Sequence, residues 1–238
     1  GPGLGILSER IARAAPRKFT MVELDRNLAT ALSRRFEAAP GITVVCADFL
    51  AADLAGLVER PPVKLVGNLP FNAAAAILHR LCDFRPLISR MVLMFQREVG
   101  ERIRASRGTP GRSALSVFTA LYWEIEDHFR VLAGSFHPRP KVDSEVIIFR
   151  ARESLPFEPS EERWVLETVR AAFSAPRKSI RNPLAHRLAL PAPAVAAALE
   201  AIGIEPSARA AALEVGDFVR IARALVVPRM KPQVRCDA

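Results

Sequence analysis

The sequence predicts an α/β fold that is followed by a small all-α domain. Up to about Arg150, short apolar runs typical of strands alternate with patterns typical of helices, which indicates α/β layering. The stretch ARESLPFEPSEE, residues 151–162, then interrupts the pattern with two prolines, as a linker would. Every periodic segment beyond it is helical. We therefore expect two domains, at residues 1–152 and 153–238, the second ending in a loose basic tail.

The individual elements follow from the spacing of the apolar residues. Alternating or continuous apolar runs predict strands at 19–24, 42–47, 63–68, 88–95 and 145–150, and a further strand within HFRVLAGSF at 128–136. Helical spacing predicts helices at 5–15, 25–36, 72–84, 162–175, 178–188, 193–204 and 215–225.

The composition favours a soluble, cytoplasmic protein with a polyanionic partner. No apolar run of the 238 residues is long enough to cross a bilayer, and the start lacks the order of a secretory signal. The three cysteines form no C-x-x-C pair and the four histidines lack metal-ligand spacing, so we predict neither a disulfide framework nor a metal site. The net charge of +9 favours nucleic acid, then an acidic membrane surface, over a charge that only aids solubility.

The first residues, GPGLG, form a glycine loop that leads directly into a predicted helix. Such a loop lets the backbone approach a ligand while helix amides point toward it, although a plain glycine turn would have the same sequence. Glu23 ends the predicted strand about twenty residues downstream, where a carboxylate can accept hydrogen bonds from ribose hydroxyls. The loop and the acid together predict a nucleoside site.

Asp48 follows the next predicted strand. One interpretation is a helix N-cap, a common role of Asp. In the other, Asp48 lies at the carboxyl edge of the sheet, where open α/β folds bind ligands, and accepts a hydrogen bond from an adenine amino group.

A rigid polar corner, Asn68-Leu69-Pro70-Phe71, follows the strand predicted at 63–68. Pro70 fixes the backbone, while the Asn68 side-chain oxygen and the neighbouring carbonyls can accept both hydrogens of an exocyclic amine. Phe71 can stack on the base that bears this amine. The corner is therefore predicted to hold a planar amine substrate.

The order of the motifs GPGLG, VELD, ADFL, GNLPFN, FQREVGERI, GRSALSV, SFHPRPKVDSEV and FSAPRKSIRNPL resembles the rRNA adenine N6-dimethyltransferase family. The likeness extends from Gly1 to about Leu225 and is greatest to the branch that dimethylates two adjacent adenines near the 3′ end of small-subunit (16S) rRNA. It implies a Rossmann-like, S-adenosylmethionine-dependent methyltransferase domain with a small helical C-terminal domain. It also implies a monomer that recognises rRNA within a pre-ribosomal particle.

The resemblance also assigns roles to individual residues. The cofactor residues that it implies are Gly1, Gly3, Glu23, Asp48 and Asn68. The target adenine would contact Asn68, Leu69, Pro70 and Phe71, with Phe136 as a second aromatic; the alternative for Phe136 is ordinary core packing. The basic residues implied for rRNA phosphates are Arg177, Lys178 and Arg181, whose alternative is a solvated helix face.

Two features depart from the family pattern. Phe71 stands where most members have Tyr, which removes a hydroxyl and keeps the stacking ring. Members also have a segment before the glycine loop that contains a central strand, so we expect the first domain here to lack that strand and its sheet to have a gap.

Three other functions compete with this one. The macrolide-resistance branch dimethylates an adenine of large-subunit rRNA with the same corner. A non-catalytic ribosome-assembly or transcription factor would keep the fold and the RNA surface. A DNA adenine methyltransferase would more often have Asp-Pro-Pro-Tyr at the corner.

Overall fold

The computed structural model describes residues 1–70 and 73–225, which contain six strands and ten helices. The strands are β1 Phe19–Glu23, β2 Ile42–Cys46, β3 Val63–Asn68, β4 Ile88–Gln96, β5 Trp123–Val131 and β6 Ser144–Ala151. The helices are α1 Ile6–Arg13, α2 Arg26–Arg35, α3 Leu54–Leu57, α4 Ala74–Asp83, α5 Arg97–Arg104, α6 Ala114–Tyr122, α7 Glu162–Ala172, α8 Arg181–Arg187, α9 Ala192–Ala201 and α10 Val215–Leu225.

Five of the predicted strands are confirmed as β1, β2, β3, β4 and β6, with ends within two residues of those expected. The sixth is correct only in part. Strand β5 begins at Trp123, and the turn Ala133–Ser135 replaces the second half of the predicted strand. Helices α3, α5 and α6 have no counterpart in the sequence prediction.

The polar residues of β5 obscured its strand pattern because they pair with polar side chains of the neighbouring strand. Strand β5 lies next to β6 in the sheet. Glu124 pairs with Arg150, and His128 Nδ1 lies 3.2 Å from Glu145 Oε1. Alternate residues of one strand therefore meet charged partners across the sheet, a favourable cross-strand arrangement that hydrophobic periodicity does not detect.

The described strands form two sheets. One is the parallel pair β1–β2, in register from Phe19↔Ile42 to Glu23↔Cys46. The other has the order β3-β4-β6-β5, with β3 parallel and β6 antiparallel to β4. Among the described residues, β1 pairs only with β2, and β3 pairs only with β4. Strand β1 therefore lies at an edge of the smaller sheet, and β3 lies at an edge of the larger one.

Each sheet has its own apolar packing. In the larger sheet, Leu93, Phe95 and Phe149 are fully buried, and the rings of Phe95 and Phe149 meet edge to face at 6.2 Å. Beneath the smaller sheet, Met21 packs with Leu32 of α2. These buried faces fix which side chains of each strand point inward.

The chain divides into two compact units. The first contains residues 1–100 and 124–151 and holds all of both sheets except the first residue of β5. The second contains residues 101–123 and the chain from residue 152 onward, and its elements are helical. The division predicted at residue 152 stays a prediction.

The helical unit has a core of its own, and the predicted linker contributes to it. Phe157 within that stretch is buried, and its ring lies 6.0 Å from the ring of Tyr122. Phe173 and Phe218 stack at 5.7 Å, and Leu184 of α8 is fully buried.

Gly100 allows helix α5 to lie directly against a buried carboxylate. A Cβ atom at this position would lie 2.1 Å from Glu145 Oε2. We therefore expect Gly100→Ala to lower the free energy of unfolding by about 1–3 kcal/mol, the usual cost of overpacking. Urea unfolding followed by circular dichroism measures this change.

Gly216 in helix α10 is the matched control, because a Cβ there would meet no atom within 4 Å. Gly216→Ala should stabilise the protein by roughly 0.5–1 kcal/mol through helix propensity. Equal effects of the two substitutions would contradict the proposed contact.

An ion pair joins the start of α7 to α10 in the helical unit. Arg223 Nε and Nη2 each donate to a different oxygen of Glu161, both at 2.8 Å. This pairing lowers the pKa of Glu161 from 4.5 to about 2, and a hydrogen bond from the Glu158 amide adds a smaller effect. Because the folded-state pKa lies below the unfolded value, the stabilisation is present above pH 4.5 and is lost as the pH falls toward 2.

We expect Glu161→Gln to lower the Tm by roughly 2–4 °C at pH 7 and much less near pH 2.5. Glu167→Gln breaks an exposed pair with Arg163 on the same helix, so it is the control and should change the Tm little at either pH. Thermal scans of both variants over this pH range provide the measurement, and a loss at pH 2.5 as large as that at pH 7 would refute the assignment.

Candidate active site

Glu23 ties the glycine loop to the end of β1. Its side chain is only 6% exposed, and its Oε2 accepts a hydrogen bond of 2.9 Å from the Gly3 amide. Its Oε1 accepts a second, of 3.0 Å, from the Asp25 amide. Gly3 has φ +57°, in the left-handed region that glycine adopts most easily. The loop is therefore held by one carboxylate that receives two backbone hydrogen bonds.

The loop packs closely on its neighbours, which explains why glycine occupies some of its positions. A Cβ on Gly1 would lie 3.2 Å from Glu23 Oε2. At Gly5, which precedes α1 with φ +82°, a Cβ would lie 2.6 Å from Leu32. The glycines thus allow the loop to pack on the strand end and on α2.

Asp25, two residues after Glu23, caps a helix. Its Oδ1 accepts hydrogen bonds from the amides of Asn27 and Leu28, so it is the N-cap of α2. Of the two acids at the end of β1, Glu23 is therefore the one that faces the loop.

Asp48 lies next to Glu23 because their strands are paired. Glu23 is in register with Cys46, and the Ala47 amide donates to the Glu23 carbonyl at 2.9 Å. Asp48 is exposed, and its Oδ1 accepts a hydrogen bond of 2.8 Å from the Leu50 amide. It therefore caps a turn, whereas the N-cap of α3 is Asp53.

These two acids fit the adenosine part of S-adenosylmethionine. A carboxylate has about four lone-pair sites, and the Glu23 carboxylate uses two of them for backbone amides. The remaining lone pairs of the Glu23 and Asp48 carboxylates can accept hydrogen bonds from hydroxyl and amine groups. Both lie at the carboxyl ends of parallel strands, where open α/β sheets bind ligands.

The Asn68 corner lies at the carboxyl end of β3 in the other sheet. Asn68 is in register with Met94 of β4 and is exposed. The Leu69 amide donates to the Met94 carbonyl at 3.2 Å, and the Leu69 side chain is buried. The Pro70 carbonyl accepts a hydrogen bond of 3.0 Å from the Ala73 amide. The corner is thus fixed by its backbone on both sides.

The Asn68 side chain is exposed at the end of β3. Within residues 1–70 and 73–225, no hydrogen bond to its amide group is formed. Gly67 supports the strand end, since a Cβ there would lie 3.0 Å from Leu69 and 3.1 Å from Leu93. The predicted stacking residue Phe71 lies outside the described residues.

Phe136 lies in the loop between β5 and β6 and is half-buried. It directly follows the turn Ala133–Ser135. Strand β6 begins where Ser144 pairs with Gln96, near the carboxyl end of β4 and therefore at the same sheet edge as Asn68. The roles predicted for Phe136 and for the corner stay predictions.

The basic segment lies in the helical unit. Arg177, Lys178 and Arg181 are all exposed at the turn before α8 and at its start. The Ile180 amide donates to the Ala208 carbonyl at 2.8 Å, which anchors the turn. Such exposed cations can bind phosphates, and that role also stays a prediction.

The structure places the predicted residues in three groups. The glycine loop, Glu23 and Asp48 gather on the smaller sheet, the Asn68 corner and the Phe136 loop share an edge of the larger sheet, and the basic segment belongs to the helical unit. Sequence reasoning assigned no role to Asp143, although it lies within the quoted motif SFHPRPKVDSEV.

The described residues lack two kinds of feature. They contain no cluster of three or more His, Cys, Asp or Glu side chains suited to a metal ion. They also contain no helix that is both long and apolar enough to span a membrane.

Most of the sequence matches a known family. The model of the family described as ribosomal RNA adenine dimethylase matches residues 1–226. The chain belongs to this family.

Curated relatives of this family member agree with the match. A protein of Geobacter metallireducens named ribosomal RNA small subunit methyltransferase A is 38% identical over 232 residues, which are 95% of this chain and 83% of the relative. A protein of the same name from Syntrophotalea carbinolica is 36% identical, over 94% of this chain and 83% of the relative.

Solved structures confirm the predicted Rossmann-like methyltransferase fold of this family member. The 23S rRNA methyltransferase ErmE is 30% identical with a TM-score of 0.65, over 94% of this chain and 88% of that one. A dimethyladenosine transferase from Plasmodium falciparum has the same fold, with a TM-score of 0.75 at 21% identity, over 93% of this chain and 86% of that one.

Glu23→Gln tests the link between this carboxylate and the glycine loop. The two Glu23 oxygens accept hydrogen bonds from two amides, so a side-chain NH₂ would have to face one N–H group. We expect S-adenosylmethionine to bind about 10- to 100-fold more weakly, measured by calorimetry, because an unpaired buried donor costs about 1–3 kcal/mol. Glu37→Gln on the exposed surface is the control. Wild-type affinity of Glu23→Gln would exclude a role of this carboxylate.

Proposed function

We propose that this protein transfers methyl groups from S-adenosylmethionine to N6 of two adjacent adenosines near the 3′ end of small-subunit (16S) rRNA. Family membership and the names of the curated relatives support an rRNA adenine dimethyltransferase. The observation that argues most directly for the chemistry is the Asn68 amide, exposed at a rigid strand end. We further propose that the protein acts in the cytoplasm, as a monomer, on a pre-ribosomal particle.

The proposed cofactor residues are the glycine loop with Gly1 and Gly3, together with Glu23, Asp48 and Asn68. The chemistry that bound S-adenosylmethionine supplies is an activated methyl group on a sulfonium ion. Glu23 would accept hydrogen bonds from the ribose hydroxyls, and Asp48 from the adenine amine of the cofactor. Neither role requires these acids to change protonation.

The corner would orient the substrate amine. The Asn68 oxygen and the Leu69 and Pro70 carbonyls accept its N–H groups, which directs the nitrogen lone pair away from the ring plane. As N6 gains positive charge, the same acceptors hold its hydrogens more strongly, and the surplus proton then leaves to water. The aromatic rings of Phe71 and Phe136 would stack on a base that has left its helix, a step that costs a few kcal/mol.

The basic residues Arg177, Lys178 and Arg181 are proposed to bind the rRNA backbone. Their exposure and the net charge of +9 support this role. Binding through phosphates predicts affinity that falls steeply with salt.

A large-subunit rRNA substrate is the second candidate, because ErmE is 30% identical over 94% of this chain. A non-catalytic RNA-binding factor is the third. All three predict RNA binding, so methyl transfer must distinguish them.

The deciding experiment is transfer of labelled methyl groups to small and large ribosomal subunits that lack the modification. We expect dimethyladenosine in small-subunit rRNA, and a loss of kcat of about 100-fold in Asn68→Ala because an aligned acceptor is removed. Asn27→Ala, an exposed asparagine on α2, is the matched control and should keep full activity.

Each outcome selects one function. Labelling of the large subunit alone would support the second candidate. RNA binding without labelling of either subunit would leave the non-catalytic factor, and full activity of Asn68→Ala would exclude the proposed role of the corner.

A further inference from the structure

We propose that Asp143 is a positioning residue that holds the Phe136 loop at the adenine-binding edge of the sheet. This inference rests on the proposed function, because it assigns Asp143 a role in aligning the substrate base. It concerns a side chain that acts through the loop and does not itself contact the substrate.

Asp143 makes contacts with three segments. Its Oδ1 accepts a hydrogen bond of 2.8 Å from the Ala133 amide, and its Oδ2 accepts one of 2.8 Å from Arg130 Nε. Its backbone carbonyl accepts a third, of 3.0 Å, from the Arg97 amide. One residue thus joins the end of β5, the turn after it and the start of α5, which directly follows β4.

The bond to Ala133 replaces a cap that the turn lacks. The 3₁₀ turn Ala133–Ser135 begins after Leu132, an apolar side chain that forms no cap hydrogen bond. Ala133 is buried, so its amide would be costly to leave without an acceptor. Asp143, ten positions away in sequence, supplies that acceptor.

The contacts of Asp143 favour the ionised form of its carboxyl group. The Ala133 amide, and to a smaller extent Arg130, lower the pKa of its carboxyl group below the ordinary 3.8. An ionised carboxylate is an acceptor only and makes stronger hydrogen bonds than a neutral group.

The held turn leads directly to Phe136. The Phe136 amide donates to the Ala133 carbonyl at 3.3 Å, so the residue that Asp143 anchors also bonds to the aromatic residue. Asp143 itself precedes the Ser144↔Gln96 pair, two positions along β4 from Met94, which is the partner of Asn68. Asp143 and the Asn68 corner therefore lie on opposite sides of the same strand, β4.

The first test measures the loop without relying on activity. Asp143→Ala should speed hydrogen exchange of the Ala133 amide about 5- to 10-fold, because it removes the acceptor. Asp143→Asn keeps an oxygen for that amide and should exchange nearly as slowly as the wild type. Unchanged exchange in Asp143→Ala would overturn the inference.

The second test asks whether Asp143 acts through Phe136. We expect Asp143→Ala to lower kcat for small-subunit rRNA on the order of 10-fold, with affinity for S-adenosylmethionine unchanged. In a Phe136→Ala background the same substitution should cost less than about 2-fold, because the aligned ring is already absent. Equal losses in both backgrounds would indicate a general structural role and overturn the inference.

Asp217 provides a matched control in the helical unit. It accepts a backbone hydrogen bond of 2.9 Å from the Glu214 amide and pairs with Arg220, and its side chain is 16% exposed against 19% for Asp143. Asp217→Ala should leave kcat unchanged. A wild-type chain without methyl transfer would overturn the proposed function, while the exchange measurement would still decide whether Asp143 holds the loop.

Discussion

Strand β4 pairs along both of its edges, and the positions of the proposed substrate groups depend on that pairing. On one side of β4, Asn68 is in register with Met94. On the other side, Ser144 is in register with Gln96. The inward residues of β4, such as Leu93, are fully buried. A shift of one residue would turn them outward, so burial of the core fixes the register and thereby the separation of the corner from the Phe136 loop.

Carboxylates that accept backbone hydrogen bonds complete this arrangement. Glu23 holds the Gly3 amide on one sheet, and Asp143 holds the Ala133 amide on the other. Both acids lie at strand ends, where the chain leaves the sheet and loses the hydrogen bonds of the ladder. A carboxylate makes stronger hydrogen bonds than a neutral acceptor, so it can restrain the loop whose amide it holds. Loops restrained in this way need little reordering when a ligand binds.

The sequence predicted the parts that depend on local pattern. The apolar run at Val63–Asn68 predicted β3 at its observed bounds, and the position of Glu23 after an apolar run predicted an acid at the sheet edge. The polar residues of β5 concealed its start, because their polar partners lie on the neighbouring strand β6. The sequence also did not predict contacts between residues far apart in the chain. The close packing of Gly100 on Glu145 and the hydrogen bond from the Ala133 amide to Asp143 depend on how the chain folds in space.

These restraints suit a reaction that needs alignment more than proton transfer. The adenine amine is a weak nucleophile because its lone pair is delocalised into the ring, and it becomes a stronger acid once it is methylated. A general base would therefore gain little, since water can take the proton afterwards. The carboxylates Glu23 and Asp143 are engaged with backbone amides, while the proposed contact to the amine is the neutral Asn68. A neutral acceptor also tolerates a nitrogen that already bears one methyl group, which a second transfer to the same base requires.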